Sequence, residues 1–321
     1  MQELWEDRIS VNPHRICFYA QYTGERRGNI IQKAKGKETY DRINTLSAKS
    51  ANRLRNAINT LVYTATYKTV WVKEKNYYFR YKVNFITLTL PSAQIHTDEE
   101  IVRTCLSPFL EAWSKRRPGL LYVWKAEVQD NGNIHFHITT NAFYHYKKLR
   151  STWNRYLEKL GYVTRSGIAD PNSTDVHSVQ QIRNIAAYLV SYATKKDNYT
   201  RVLKRYHKRF AKQHACREQK ACEIPKNYFL HIKRKVSCRI WSCSSLLKKT
   251  SVTLDPHAPD IREEVGILMH PDVPKVQYDY CTNIYLESDV LEALPGLHKK
   301  YLETFRPVVE MQQKVQQRDE I

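Results

Sequence analysis

Lys125–Thr140, KAEVQDNGNIHFHITT, constrains the fold of this chain more than any other stretch. Apolar residues alternate with polar ones at Ala126 and Val128, and a turn cluster Asp130-Asn131-Gly132 follows. Alternation then resumes at Ile134, Phe136 and Ile138, the pattern of a β-hairpin. His135 and His137, two apart in a strand, share one face. The turn decides whether Glu127 joins them. A two-residue Asn131-Gly132 turn pairs Glu127 with Phe136, on the face away from the histidines. A three-residue turn with Gly132 in the left-handed closing position pairs Gln129 with Asn133 and Glu127 with His135. The second register is the expected one, because it collects Ala126, Val128, Ile134 and Phe136 on a single core face. Glu127, His135 and His137 then stand together on the other. Two imidazoles and a carboxylate so placed make a divalent-metal site with open positions.

The charge of the chain is the second constraint. Its 321 residues hold 52 Lys and Arg against 32 Asp and Glu, a net of +20. From Asp255 to the end there are 13 acidic and 7 basic residues, a net of −6, so residues 1–254 carry +26. A field of that sign and size favours a polyanion, nucleic acid above all, and predicts salt-sensitive binding. No run of 18 apolar residues occurs and Met1–Val11 lacks the apolar core of a signal peptide, so no membrane partner and a cytoplasmic location are expected. Seven scattered cysteines fit reduced thiols. Cys216, Cys222, Cys238 and Cys243 do not have zinc-ribbon spacing on both sides.

Along the chain, Glu38–Val62 carries Leu46, Leu54, Ala57, Ile58 and Leu61 at helical intervals. Asn76–Pro91 is rich in aromatic and β-branched residues and reads as one long strand, with Thr87 and Thr89 on one face. Thr97–Arg117 reads as a helix capped by Thr97 or Asp98 and kinked or divided by Pro108, with Ile101, Cys105, Leu106, Phe109, Leu110 and Trp113 inward. Tyr146–Leu160 is a second helix stopped at Gly161, Asp175–Val179 a short strand, and Ser178–Lys196 a further helix. This order is that of an α+β fold: an antiparallel sheet with helices packed on one face and the site on the free face. In the last predicted helix Tyr188 and Tyr192 are four apart and Lys195 and Lys196 continue their face.

A His-x-His strand alone, or two tyrosines at helical spacing alone, is a common structural pattern. Together and in this order they carry a resemblance. Phe85-Ile86-Thr87-Leu88-Thr89, then His135-Phe136-His137, then Tyr188-x-x-x-Tyr192-x-x-Lys195 resembles the three motifs of the HUH endonucleases that start rolling-circle replication. The two-tyrosine form is most similar to the branch containing the gene A proteins of small single-stranded DNA phages and related plasmid initiators. Arg239-Ile240-Trp241-Ser242-Cys243-Ser244 also resembles a short segment of that branch. The resemblance covers about residues 75–200, extending at most to 248.

The resemblance implies an HUH, ferredoxin-like or RRM-like core in a bacterial host's cytoplasm. It implies His135 and His137 as metal ligands with Glu127 as the third, Tyr188 and Tyr192 as nucleophiles, and Lys195 as the motif lysine. Ser191 departs from the pattern, standing where a lysine is often found, and the equivalence of the two tyrosines is open. The activity implied is nicking and religation of a single-stranded DNA origin through a 5′-phosphotyrosine, using Mg²⁺ or Mn²⁺. A polymerase would extend the freed 3′ end, and a host helicase is a candidate partner. Residues 197–254 hold 15 basic and 3 acidic side chains, and Arg201, Lys204, Arg205, Lys208 and Arg209 alternate with Tyr199, Tyr206 and Phe210, a mixture suited to single strands. The expected division is 1–62 as a helical and basic N-terminal region, 63–200 as the endonuclease domain, 201–254 as a basic extension and 255–321 as an acidic region. Competing readings are a two-tyrosine transposase, a relaxase, a non-catalytic nucleic-acid-binding protein and an iron oxygenase. The basic field and the tyrosine pair weigh against the oxygenase.

Overall fold

Gly132 adopts φ 86°, the left-handed conformation that a three-residue hairpin loop needs at its closing position. The Gln129 N–H donates to the Asn133 carbonyl at 2.8 Å, and the Gly132 N–H returns to the Gln129 carbonyl at 2.9 Å. This turn sets the register on which the rest of the site depends. It belongs to a computed structural model that describes residues 5–24, 48–72, 76–129, 131–179, 236–287 and 290–305.

In chain order the first described elements are β1 (Trp5–Asn12), β2 (Arg15–Tyr22), α1 (Ala48–Thr64), β3 (Lys68–Val72), β4 (Tyr77–Tyr81) and β5 (Val83–Leu88). Then come α2 (Asp98–Ile101), a π-helical turn (Val102–Leu106), α3 (Ser107–Arg116), β6 (Tyr122–Val128), β7 (Ile134–Thr140), α4 (Tyr146–Glu158), α5 (Tyr162–Ser166) and β8 (Thr174–Val179). The last part holds β9 (Trp241–Cys243), β10 (Val252–Leu254), α6 (Arg262–Met269), β11 (Val276–Tyr278) and β12 (Cys281–Tyr285). A final helix, α7, spans 295–305. The fold is α+β, as expected from the order of apolar periodicities.

The central sheet is antiparallel, in the order β8-β5-β7-β6-β9. One face is lined by Ile86, Leu88, Ala126, Ile134, Phe136 and Ile138, all buried. Against it pack Ile101, Cys105, Leu106, Phe109, Leu110 and Trp113, the inward set that helical spacing picks out, together with Leu149, Trp153 and Leu157 of α4. Trp153 sits 6.3 Å from the Phe136 ring and its indole N–H donates to the Thr89 carbonyl at 3.0 Å. Thr97 caps α2 in a reciprocal box, its hydroxyl accepting from the Glu100 N–H and the Glu100 carboxylate accepting from the Thr97 N–H. Pro108 divides the helix as expected. Lacking an N–H and crowding the carbonyl four residues back, it follows a π turn in which the Ser107 N–H reaches the Val102 carbonyl.

Two differences from the sequence reading matter for the site. The single strand expected over Asn76–Pro91 is two strands in different sheets. β4 pairs with β3 in a separate ribbon, β5 enters the central sheet, and Lys82 alone stands between them. Aromatic and β-branched composition is shared by both strands, so it carries no mark of the break. The face opposite the helices is also only half free. Val83, Leu121 and Val123 on that face are buried beneath Leu54, Ala57, Ile58 and Leu61 of α1.

This same core continues into a second antiparallel sheet, β10-β1-β2-β12-β11, through Ile9, Val11, Ile16 and Ile284. Strands from the first and last regions of the chain therefore share one sheet. The expected helix over Ser178–Lys196 falls outside the described residues, as does the part of Glu38–Val62 before Ala48. Among the described residues no helix is long and apolar enough to cross a membrane.

Candidate metal centre

β6 and β7 pair Glu127 with His135 and Lys125 with His137, and β5 pairs Thr87 with His137. Paired residues of an antiparallel ladder project to the same side, so Lys125, Glu127, His135, His137 and Thr87 meet on the half of the sheet that α1 leaves uncovered. Glu127 Oε2 lies 3.6 Å from His135 Nε2 and 3.6 Å from His137 Nε2. One donor atom from each of the three lies within 4.8 Å of the others. Among the described residues no other group of three His, Cys, Asp or Glu side chains is gathered in this way.

The surroundings leave the ligand atoms prepared for a cation. The Thr87 hydroxyl sits 3.2 Å from His137 Nδ1, and an N–H donated there leaves the Nε2 lone pair on the side of Glu127. Phe85 stacks on the His137 ring at 5.1 Å and limits its rotation. Lys125 Nζ donates to Glu127 Oε1 at 2.6 Å, which fixes the carboxylate and keeps Oε2 turned towards both imidazoles. Burial opposes ionisation of Glu127, but the adjoining imidazoles and the Lys125 ammonium outweigh it and hold its carboxyl well below the usual carboxylate range. Burial foremost, with the neighbouring His135, lowers the pKa of His137 against the pull of Glu127. A neutral imidazole is the form that binds a metal.

The residues fit a divalent ion on one observation above all. Both ring nitrogens of His135 are buried and have no hydrogen-bond partner among the described residues. An unmet buried polar group costs about 1–3 kcal/mol, a cost that a ligated cation removes. Two donors each about 2.0–2.2 Å from one ion stand at most about 4.4 Å apart, and both 3.6 Å spans lie inside that reach. Two nitrogens and one carboxylate oxygen leave positions for water and phosphate, suiting Mg²⁺ or Mn²⁺, although bare affinity favours Zn²⁺ or Ni²⁺. Thr87→Val should lower Mn²⁺ affinity about 10–100-fold with little change in melting temperature, while Thr87→Ser retains it. Calorimetric titration of the purified protein reads both.

Sequence reasoning placed Glu127, His135 and His137 together, and they are together. It named Thr87 and Thr89 as neighbours, and only Thr87 serves the site. The Thr89 hydroxyl is turned to the Ser173 carbonyl at 3.1 Å. Lys125 was missed, although its place two before Glu127 in the same alternation was the signal. From the edge strand, Asp175 pairs with Thr87 and His177 with Phe85, with His177 Nε2 2.6 Å from Asp175 Oδ2 at the surface. Arg239–Ser244 supplies β9, which runs beside β6 with Trp241 opposite Lys125 and the Ile240 carbonyl accepting from the Ala126 N–H at 2.7 Å. Tyr188, Tyr192, Lys195, Arg201, Lys204, Arg205, Lys208 and Arg209 lie outside the described residues.

Residues 83–197 match the family model of the replication-associated proteins of the ORF2 type. No curated protein and no solved structure matches the chain. The matched stretch begins with β5, takes in all three candidate ligands and ends just after Lys195. In its metal-centre strands and the tyrosine segment that follows, the chain is therefore similar to replication-associated proteins, which supports a role in starting DNA replication.

Proposed function

We propose that the protein starts rolling-circle replication by nicking and religating a single-stranded DNA origin. The observation that carries this reading is the Glu127–His135–His137 set, followed by Tyr188 and Tyr192 within one stretch similar to replication-associated proteins. A tyrosine oxygen attacks the scissile phosphorus, the bond to the 3′ oxygen breaks, and the chain is left with a 5′-phosphotyrosine. The phenolic proton passes to solvent and the departing oxygen takes up a proton as the 3′-hydroxyl. The bond energy is retained in the ester, so the strand can be rejoined without ATP.

A tyrosine with a pKa of about 10 is only about 0.1% ionised at pH 7, so Lys195 is assigned the task of favouring the phenolate. Glu127, His135 and His137 would hold Mg²⁺ or Mn²⁺, which stabilises negative charge on a non-bridging phosphate oxygen when bound. Lys125 neutralises Glu127 and keeps the pocket from repelling the phosphodiester. Arg201, Lys204, Arg205, Lys208 and Arg209 are assigned to the DNA backbone. The second tyrosine cleaves the regenerated origin after one round, while the first ester is resealed onto the new 3′ end. A polymerase, and by this reading a helicase, acts on the freed strand.

Single-stranded oligonucleotides tiled across the DNA that encodes the protein provide the test. With Mn²⁺ and full-length protein, one of them should yield an adduct that survives denaturation and disappears with chelator. The absence of an adduct from every tile would sink the proposal.

A further inference from the structure

β3 and β4 form a two-stranded ribbon that stands outside both sheets. Thr69 pairs with Arg80 and Trp71 with Tyr78, so by the two-residue period Tyr67, Thr69, Trp71, Tyr78, Arg80 and Lys82 occupy one face. The opposite face is the anchored one. Lys68 and Tyr81 are buried there, the Lys68 ammonium donates to the Asn141 carbonyl at 2.6 Å, and Tyr81 lies 5.9 Å from Phe143. The first face is open to solvent, with Tyr67 52%, Trp71 46% and Tyr78 72% exposed. Water-facing positions of a ribbon are ordinarily filled by threonine or charged residues, and three large rings there need another reason.

The rings and cations of this face are ordered. Trp71 and Tyr78 lie 4.7 Å apart, and the Arg80 guanidinium and Lys82 ammonium stand 4.4 and 5.8 Å from the Tyr67 ring centroid. An aromatic pair is thus followed along the ribbon by a cation–aromatic group. Residues 68–82 contain five Lys or Arg and one Glu. Lys82 leads straight into β5, and Thr87 lies five residues on, about 17 Å at roughly 3.4 Å per residue.

We propose that this ribbon face is a single-stranded DNA platform flanking the metal centre. Bases stack on Trp71 and Tyr78, and the adjacent phosphates pair with Arg80 and Lys82. Stacking needs an unpaired base with both π-faces available, which a duplex does not offer, and cations over the rings suit a polyanion better than an apolar peptide. The inference rests on the proposed function only in taking the bound strand to be the one that is nicked.

The test is fluorescence anisotropy of a labelled oligothymidylate with the full-length protein in chelator, where no adduct forms. Trp71→Ala with Tyr78→Ala should weaken binding at least about tenfold, since each lost base stack is worth about 1–3 kcal/mol. Trp71→Phe with Tyr78→Phe should bind as the wild type does. Arg80→Gln should lower the slope of log affinity against log salt by about 0.7. Wild-type affinity in the alanine pair, with circular dichroism and melting temperature unchanged, overturns the platform, as does an equal loss for duplex of the same length. Should the ribbon variants lose binding while no tile ever gives an adduct, the platform stands and only the nicking reading falls.

Discussion

His137→Ala is expected to reduce the rate of adduct formation on the order of 10³-fold, and to weaken Mn²⁺ binding in parallel. His137 is only 7% exposed and sits where three constraints converge: Thr87 at Nδ1, Glu127 near Nε2 and Phe85 against the ring. Removing the imidazole takes away one of three ligands and leaves Glu127 to Lys125, which already holds its Oε1. Charge stabilisation by a bound ion is worth several kcal/mol, and each 1.36 kcal/mol is a tenfold change in rate. Folding must be read separately because the ring is packed. Manganese calorimetry and a thermal melt alongside single-turnover adduct kinetics divide the two effects. Normal adduct kinetics in a folded His137→Ala protein would remove the metal centre from the reaction.

The double change Tyr188→Phe with Tyr192→Phe should bring the adduct below detection, because phenylalanine keeps the ring and removes the attacking oxygen. The single changes should not be equal. Three positions after Tyr192 stands Lys195, whereas three after Tyr188 stands Ser191, so by sequence Tyr192 has a cation at that spacing and Tyr188 has none. Tyr192→Phe is therefore expected to slow the first cleavage more than Tyr188→Phe, and Ser191→Lys to narrow the gap. Mass spectrometry of the trapped peptide identifies the tyrosine that carries DNA. An adduct that persists in the double variant would mean that another residue attacks.

The parts of this site that were legible in the sequence are those written in short-range pattern. The alternation over Ala126–Ile138 and the need for a left-handed Gly132 determine the hairpin register locally, and that register puts Glu127 beside both histidines. The helices behind the sheet follow from apolar spacing for the same reason. Their inward faces are set by a 3.6-residue period that no distant partner can alter.

What the tertiary structure decided involves segments far apart in the chain. Thr87 reaches His137 across fifty residues, and a shift of one position in the β5–β7 ladder would have brought a core residue there instead. The break at Lys82, the half of the sheet taken by α1 and the addition of β9 beside Lys125 likewise depend on which strands pair and what covers them. Sequence alone determined a hairpin able to gather one acid and two imidazoles. Only the folded chain decided which hydroxyl, ring and ammonium hold them in place, because local periodicity sets the face a side chain takes while long-range pairing sets what it meets there.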